Sequence, residues 1–120
     1  MRAVFDTNIL VDYLQGRDDA RVELARYRRP AISVVSWIEV MVGTTPQTET
    51  ATRAFLARFD LLGIDGPIAE QVADLRRTRH IKLPDAIIWA TALVNQCLLV
   101  TRNSRDMDPD DPSIRMPYVL

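Results

Sequence analysis

Short apolar runs alternate with longer helix-like segments along almost the whole of this 120-residue chain. The apolar runs are three to five residues long and rich in β-branched side chains, which favours buried strands. The segments between them begin and end at serine, glycine and proline residues typical of helix boundaries. Strands joined by helical crossovers build a mostly parallel sheet with helices on both faces. The sequence therefore predicts an α/β fold in one domain spanning residues 1–120.

The predicted strands and helices follow each other in the order β-α-α-β-α-α-β-α-α-β-β. The predicted strands are residues 3–5, 31–35, 61–64, 98–101 and 115–119, the last at an edge because Pro117 cannot donate to a ladder. The predicted helices are residues 7–14, 20–27, a helix after Ser36 as N-cap through Met41, 47–59, 66–79 and 84–97.

Composition and charge narrow the class of protein. Hydrophobic residues make up 48% and charged residues 26%, as in soluble globular proteins. No apolar stretch reaches the roughly 18 residues that span a bilayer, so we expect a cytoplasmic protein without a membrane partner. The single cysteine, Cys97, lies in an apolar helical run and is predicted to be a packing residue. The net charge of −1 argues against a uniformly basic nucleic-acid binder.

Two groups of basic residues nevertheless stand out. The first comprises Arg21, Arg26, Arg28 and Arg29, and the second Arg76, Arg77, Arg79, His80 and Lys82. Both interpretations stay open: the groups are solvated helix faces, or they contact nucleic-acid phosphates.

Acidic and amide side chains recur close to the ends of the predicted strands. Asp6 ends the first strand, Glu39 follows the second by about one helical turn, and Asn103 and Asp106 follow the fourth. In parallel sheets, ligands bind outside the carboxyl ends of the strands. Asp85 reaches this rim only if its helix directs its N-terminus there. Oxygen ligands from separate elements suggest a hard divalent cation, and phosphate chemistry is the first hypothesis.

Each of these residues also has a purely structural interpretation. Asp6 can be the N-cap of the first helix, and Asp85 can stabilise the N-terminus of its own helix. Glu39 can lie on the exposed side of a half-buried helix, although its neighbours look buried. Asn103 can cap a turn and Asp106 can be a surface acid. None of the residues is decisive alone.

Taken together, the acidic segments resemble the motifs of the PIN domain, especially those of VapC-type toxins from bacterial toxin–antitoxin pairs. The resemblance covers nearly the whole chain and rests on four segments in matching order: VFDTNILVDYL, ISVVSWIEVMVG, LPDAIIWATAL and LLVTRNSRDM. It implies a three-layer α/β/α fold and an endoribonuclease that depends on Mg²⁺ or Mn²⁺. It also implies a cognate antitoxin and a homodimer as partners, besides the RNA substrate.

The resemblance assigns roles to individual residues. Asp6, Glu39 and Asp85 match the first three acidic positions and are the expected metal ligands. Asn103 stands at the fourth position, where its amide brings no charge, so Asp106 is expected to share that task. A metal held mainly by Asp6 and Asp85 is expected to activate the attacking water, with Glu39 positioning or deprotonating it.

Four neighbouring residues complete the predicted site. Thr7 and Thr101 are expected to hold the carboxylates by hydroxyl hydrogen bonds. Arg102 and Arg105 are expected to contact flanking RNA phosphates. Apolar residues of 7–14 and 55–59 form either a groove for an antitoxin helix or part of the core.

A different class of function also stays open at this point. The same fold can serve as a non-catalytic phosphate-binding or protein-interaction module, with the acids purely structural. A nuclease or phosphatase that does not act on RNA is a further alternative. Specific Mn²⁺ binding is expected of the nuclease and not of a structural acidic rim.

Overall fold

The central sheet of this protein, in a computed structural model that describes residues 2–120, has its strands in the order β3-β2-β1-β4-β5. All strand pairs within these residues are parallel. The strands are β1 Ala3–Phe5, β2 Ala31–Ser33, β3 Asp60–Leu62, β4 Leu98–Val100 and β5 Ile114–Arg115. The helices are α1 Thr7–Leu14, α2 Asp18–Ala25, α3 Val34–Val42, α4 Glu49–Leu56, α5 Gly66–Thr78 and α6 Leu83–Val94.

Separate hydrophobic clusters cover the opposite faces of the sheet. Successive side chains of a strand point to opposite faces, and β1 shows this directly: Val4 joins one cluster, whereas Ala3 and Phe5 join the other. The Val4 cluster is completed by α5 and α6, and the Phe5 cluster by residues of α1 to α4. The predicted three-layer α/β/α fold with a parallel sheet is confirmed.

The parallel strands place all their carboxyl ends at one edge of the sheet. β1 lies between β2 and β4, with Val4 opposite both Ala31 and Leu99. Residues that directly follow β1, β2 and β4 therefore meet at this edge, which we call the carboxyl rim.

The second strand is shorter than predicted, and α3 begins earlier. Ser33, not Ser36, caps α3, because its hydroxyl oxygen accepts a hydrogen bond from the Val35 N–H at 3.1 Å. Ser36 lies inside the helix and is fully buried. The run of β-branched residues at 34–35 suggested a strand, but the cap at Ser33 turns the chain into a helix at once.

Burial along the second helix does not follow the polarity of its side chains. The apolar Val22 is 66% exposed, whereas Glu23 is only 3% exposed. Glu23 tolerates burial because it accepts hydrogen bonds from Arg115 and from the Tyr27 hydroxyl.

The ends of other helices differ from the predicted ends by a few residues. The fourth helix is shorter at both ends than predicted, and α6 ends at Val94 rather than at Cys97. Gln96 has a positive φ of 56°, which ends the helical path before Cys97. Cys97 is buried in the core, as predicted, and the fifth strand lies at the sheet edge, as predicted. Among residues 2–120, no helix combines the length and apolar character that crossing a membrane requires.

Candidate active site

Asp6 is the buried centre of the carboxyl rim. Its N–H donates to the Val100 carbonyl at 2.9 Å, which fixes it between β1 and β4. One carboxylate oxygen accepts from the Thr7 N–H at 2.7 Å, and the other accepts from the Thr101 hydroxyl at 2.8 Å. Asp6 is therefore the N-cap of α1, as its structural interpretation held, and it is also only 3% exposed.

The surroundings of Asp6 raise its pKa above the ordinary value of an aspartate. Burial, the largest cause, raises this pKa to about 6, against the hydrogen bonds from Thr101 and Thr7 that lower it. The negative charges of Asp85 and Glu39 raise it further. A carboxyl group in a cleft with its pKa raised by burial and by like charges is typical of functional sites.

Glu39 reaches the rim from α3 through a hydrogen bond with Thr7. The Thr7 hydroxyl donates to Glu39 Oε1 at 2.6 Å and lies 3.0 Å from the Ser36 hydroxyl. Glu39 is exposed, and its neighbour Ile38 is 50% exposed. The expectation that Glu39 has buried neighbours is wrong on that side, and Glu39 lies on the exposed side of a half-buried helix, of which only Ser36 and Val40 are fully buried.

Asp85 lies in the first turn of α6 and is partly buried. Burial raises its pKa, and the charges of Asp106 and Glu39 raise it further, whereas Lys82 lowers it. The N-terminus of α6 therefore points to the carboxyl rim, which was the condition for including Asp85 in the site.

Asn103 and Asp106 form a closed pair in the segment after β4. The Asn103 side-chain amide donates to Asp106 Oδ2 at 3.0 Å, and its oxygen accepts from the Asp106 N–H at 3.2 Å. The Asn103 N–H donates to the Thr101 hydroxyl oxygen at 3.0 Å. Asn103 thus caps a turn that holds Asp106.

Asn8 belongs to the site but was not singled out from the sequence. Its amide nitrogen lies 3.2 Å from the Thr101 hydroxyl and 3.4 Å from Asp6 Oδ2, and its oxygen accepts from the Arg102 N–H at 3.3 Å. Its place in the FDTN segment beside Asp6 was the signal that would have identified it.

Arg102 and Arg105, which were predicted to contact RNA phosphates, lie in different environments. The Arg102 guanidinium donates to both carboxylate oxygens of Asp12, at 2.6 and 2.9 Å. Arg105 is exposed and, within residues 2–120, forms no ion pair. It lines an open cleft of about 390 Å³ together with Asn8, Asn103 and Asp106. Arg105 is therefore the arginine with a guanidinium available beside the site.

The donors at the rim suit a hard divalent cation in kind and in charge. Asp6, Glu39, Asp85 and Asp106 are oxygen donors, the ligands that Mg²⁺ and Mn²⁺ prefer. Within residues 2–120, however, no three His, Cys, Asp or Glu side chains are grouped so that they could hold a metal ion. The charges of Asp85 and Glu39 raise the pKa of Asp6, and the charges of Asp106 and Glu39 raise the pKa of Asp85.

An open groove runs from the rim along α1, α3 and α4. Its volume is about 530 Å³, and its lining includes Val11, Leu14, Val40, Ala51 and Glu39. By contrast, the aromatic rings at positions 55 and 59 are at most 7% exposed and pack in the core. Because Glu39 lines the groove, a molecule bound there would lie against the carboxyl rim.

Comparison with known proteins agrees with this architecture. Residues 3–108 match the sequence model of the PIN domain. A chain of a toxin–antitoxin complex from Klebsiella pneumoniae is 42% identical, with a TM-score of 0.93 over 98% of this chain and 99% of that one. VapBC2 from Rickettsia felis, bound to a DNA fragment from its promoter, is 21% identical, with a TM-score of 0.80 over 95% and 96%.

DNA-bound VapBC from Salmonella typhimurium gives a similar result, with 21% identity and a TM-score of 0.81 over 96% of each chain. A comparison with curated proteins finds no match. The agreement in sequence pattern and fold leads to one conclusion: the chain belongs to the PIN-domain family.

Proposed function

We propose that this protein is the toxin of a toxin–antitoxin pair and an endoribonuclease that depends on Mg²⁺ or Mn²⁺. The observation that supports the proposal is Asp6, which is 3% exposed where β1 ends and has its pKa raised to about 6 by burial and by the charges of Asp85 and Glu39. The 42% identity to a chain of a toxin–antitoxin complex supports the toxin role.

In this proposal each side chain has a defined task. Asp6 and Asp85 hold the cation, with Glu39 beside them. The bound cation would supply Lewis-acid polarisation of the phosphodiester and lower the pKa of the attacking water. Glu39 orients that water and accepts its proton.

Neighbouring groups keep these carboxylates in place. The Thr7 hydroxyl bond fixes Glu39, and the Thr101 hydroxyl fixes one oxygen of Asp6. Asn103 holds Asp106 by a pair of hydrogen bonds. In many metal sites, side chains that hydrogen-bond to the metal ligands orient them in this way.

RNA is the proposed substrate, and we expect a few basic side chains beside the rim to contact its phosphates. Because the net charge of the chain is −1, binding cannot rest on a uniformly basic surface. Arg105, exposed beside Asn103 and Asp106, is placed to contact a phosphate that flanks the cleaved bond.

The test is the loss of cleavage when the central carboxylates are neutralised. We expect Asp6→Asn and Asp85→Asn each to lower Mn²⁺-dependent RNA cleavage by at least about 100-fold, because each removes a ligand charge. Asp110→Asn is the matched control, since Asp110 is exposed and outside the rim. Cleavage of a fluorescent RNA at several Mn²⁺ concentrations measures the effect. Full activity of either Asp6→Asn or Asp85→Asn would contradict the proposed metal-dependent nuclease.

One observation favours the alternative of a non-catalytic phosphate-binding or protein-interaction module. Among the described residues, the acids are not grouped so that they could already hold a metal ion. Calorimetric titration with Mn²⁺ separates the two functions: a nuclease binds Mn²⁺ at the rim and loses that binding in Asp6→Asn. A purely structural rim shows no specific binding in either protein.

An antitoxin is the proposed protein partner, and the groove along α1, α3 and α4 is its proposed site. Val11, Leu14 and Ala51 give the groove an apolar lining that suits the apolar face of a helix. An antitoxin segment there would end beside Glu39 and block access to the rim. The homodimer implied by the family stays a prediction.

A further inference from the structure

Asp12 is a buried carboxylate that the proposed chemistry does not use. It lies on α1 and is only 1% exposed. Burying a carboxylate is costly unless it is fully paired, and Asp12 is fully paired. It accepts from Arg102 Nε at 2.6 Å, from Arg102 Nη2 at 2.9 Å and from the Tyr118 hydroxyl at 2.7 Å.

These contacts join three distant parts of the chain at one point. Arg102 follows β4, Tyr118 lies after β5, and Asp12 lies on the helix that starts at Asp6. We call the three side chains the Asp12 brace. Its bonds between α1 and Arg102 span 90 residues of sequence.

The brace holds the segment that carries Asn103 and Asp106. Arg102 stands between Thr101, which bonds Asp6, and Asn103, which bonds Asp106. A second link runs in parallel, because the Arg102 N–H donates to Asn8 Oδ1 on α1. The charge of Asp106 is therefore fixed relative to Asp6 by side chains outside the rim.

A second ion pair of the same construction joins α2 to β5. Glu23 on α2 accepts from Arg115 Nε at 2.6 Å, from Arg115 Nη2 at 2.9 Å and from the Tyr27 hydroxyl at 3.0 Å. Its carboxylate is as buried as that of Asp12, at 3% exposure. Its side-chain bonds do not reach residues 101–106, and Arg115 meets this segment through its backbone carbonyl, which accepts from the Thr101 N–H at 3.0 Å. Substitutions of the Glu23 and Tyr27 side chains keep that backbone bond, so they separate a general stabilising effect from an effect of the Asp12 brace.

We propose that Asp12, Arg102 and Tyr118 are positioning residues that set the affinity of the rim for a divalent cation. The brace does so by holding Asp106 and Asn103 at a fixed place beside Asp6 and Asp85. This inference rests on the proposed metal dependence, and it assigns Arg102 a role other than the phosphate contact expected from the sequence.

The two roles of Arg102 make different predictions. A phosphate contact acts through RNA, so its loss weakens RNA binding and reduces the salt dependence of that binding by about one counterion. A positioning residue acts through the rim, so its loss weakens Mn²⁺ binding even when no RNA is present.

The experiment is calorimetric titration of the full chain with Mn²⁺ alone. We expect the Kd for Mn²⁺ to rise about 10-fold in Asp12→Asn and about two- to five-fold in Tyr118→Phe, which removes a single hydroxyl. The matched controls, Glu23→Gln and Tyr27→Phe, should leave the Kd unchanged. Thermal unfolding of each protein confirms that every titration is made on folded chains, and Tyr118→Phe keeps the test valid if Asp12→Asn does not fold.

The outcomes separate the inference from the proposed function. An unchanged Kd in the brace variants, or an equal rise in the controls, overturns the inference. Weaker RNA binding by Arg102→Gln in fluorescence anisotropy, with an unchanged Kd for Mn²⁺, overturns it in favour of the phosphate contact. Wild-type protein that binds Mn²⁺ but cleaves no RNA overturns the proposed nuclease, whereas a raised Kd in the brace variants would still support the brace.

Discussion

At the scale of single residues, Asp6 shows how one side chain serves both the fold and the site. It caps α1 through its bond from the Thr7 N–H, and it is held between β1 and β4 by its own N–H. The carboxylate caps the helix, and the backbone N–H makes the bond to β4. Burial raises the pKa of this carboxyl to about 6. In the folded protein without a cation, ionising Asp6 therefore costs more free energy than ionising an exposed aspartate.

The stability of the metal-free protein should therefore depend on pH in a defined direction. The folded chain binds the Asp6 proton more tightly than the unfolded chain, whose aspartates ionise near pH 4. Between about pH 4 and about pH 6, the free energy of unfolding should fall as pH rises, by at most about 3 kcal/mol from Asp6. Urea unfolding at a series of pH values without metal measures this slope.

Asp6→Asn supplies the control for the pH effect. The variant has no titrating group at this position, so its stability should be flatter over the same window. Added Mn²⁺ should stabilise the wild type more at pH 7 than at pH 5, because the cation binds the ionised carboxylate. A stability that rises from pH 4 to pH 6 in the wild type alone would contradict the assigned shift.

At the scale of elements, the site depends on helices that begin directly at strand ends. The chain passes from β1 to α1 through Asp6 alone, and from β2 to α3 with no intervening residue. These short turns bring Thr7 on α1 within 2.6 Å of Glu39 on α3. The positions of the helix caps therefore set the geometry of the rim.

The cap of α3 gives a direct test of this point. We expect Ser33→Ala to lower the free energy of unfolding by about 1 kcal/mol, since it removes the acceptor for the Val35 N–H. Ser36→Ala should cost less, because Thr7 keeps its bond to Glu39. Urea unfolding of both variants measures the difference. A larger cost for Ser36→Ala would mean that the cap is not what fixes the start of α3.

The elements themselves were largely predictable, and the exceptions have a common cause. Local periodicity correctly predicted the helices at 7–14 and 66–79 and the buried strand at 3–5. It failed at Val34 and Val35, where β-branched residues follow a capping serine, and at Val22 and Glu23. The burial of Glu23 depends on Arg115, which lies 92 residues away, and a local pattern holds no information about such a partner.

At the scale of the whole molecule, the sequence predicts the edge of the sheet where the candidate acids lie, but not the buried side chains that support it. Asp6 and Asp106 follow strands, and Glu39 lies on the helix that starts where β2 ends, so a parallel sheet predicts that they lie at one edge. The distant partners of the buried Asp12 and Glu23 are Arg102, Arg115 and Tyr118, which lie at least 90 residues further along the chain, and these pairings follow from no spacing rule. These pairs fasten the C-terminal residues to α1 and α2 and so close the fold around the rim.

The whole molecule also places a candidate regulatory groove against the site. Glu39 belongs both to the rim and to the lining of the groove along α1, α3 and α4. A helix bound in that groove would not need to contact Asp6 to prevent RNA from entering. Inhibition by an antitoxin can therefore be tested separately from catalysis, through groove residues that lie outside the rim.

Leu14 is the residue best suited to that test. It ends α1, lines the groove and is 42% exposed, so a substitution there should leave the core intact. We expect Leu14→Glu to weaken binding of the cognate antitoxin by at least about 10-fold, because a carboxylate in an apolar contact must lose its water. Its RNA cleavage should stay at the wild-type level. Val22→Glu, at a 66% exposed apolar position on α2 outside the groove, should change neither property. Calorimetry with the purified antitoxin and the RNA cleavage assay measure the two effects, and an equal loss of antitoxin binding in both variants would exclude the groove as the binding site.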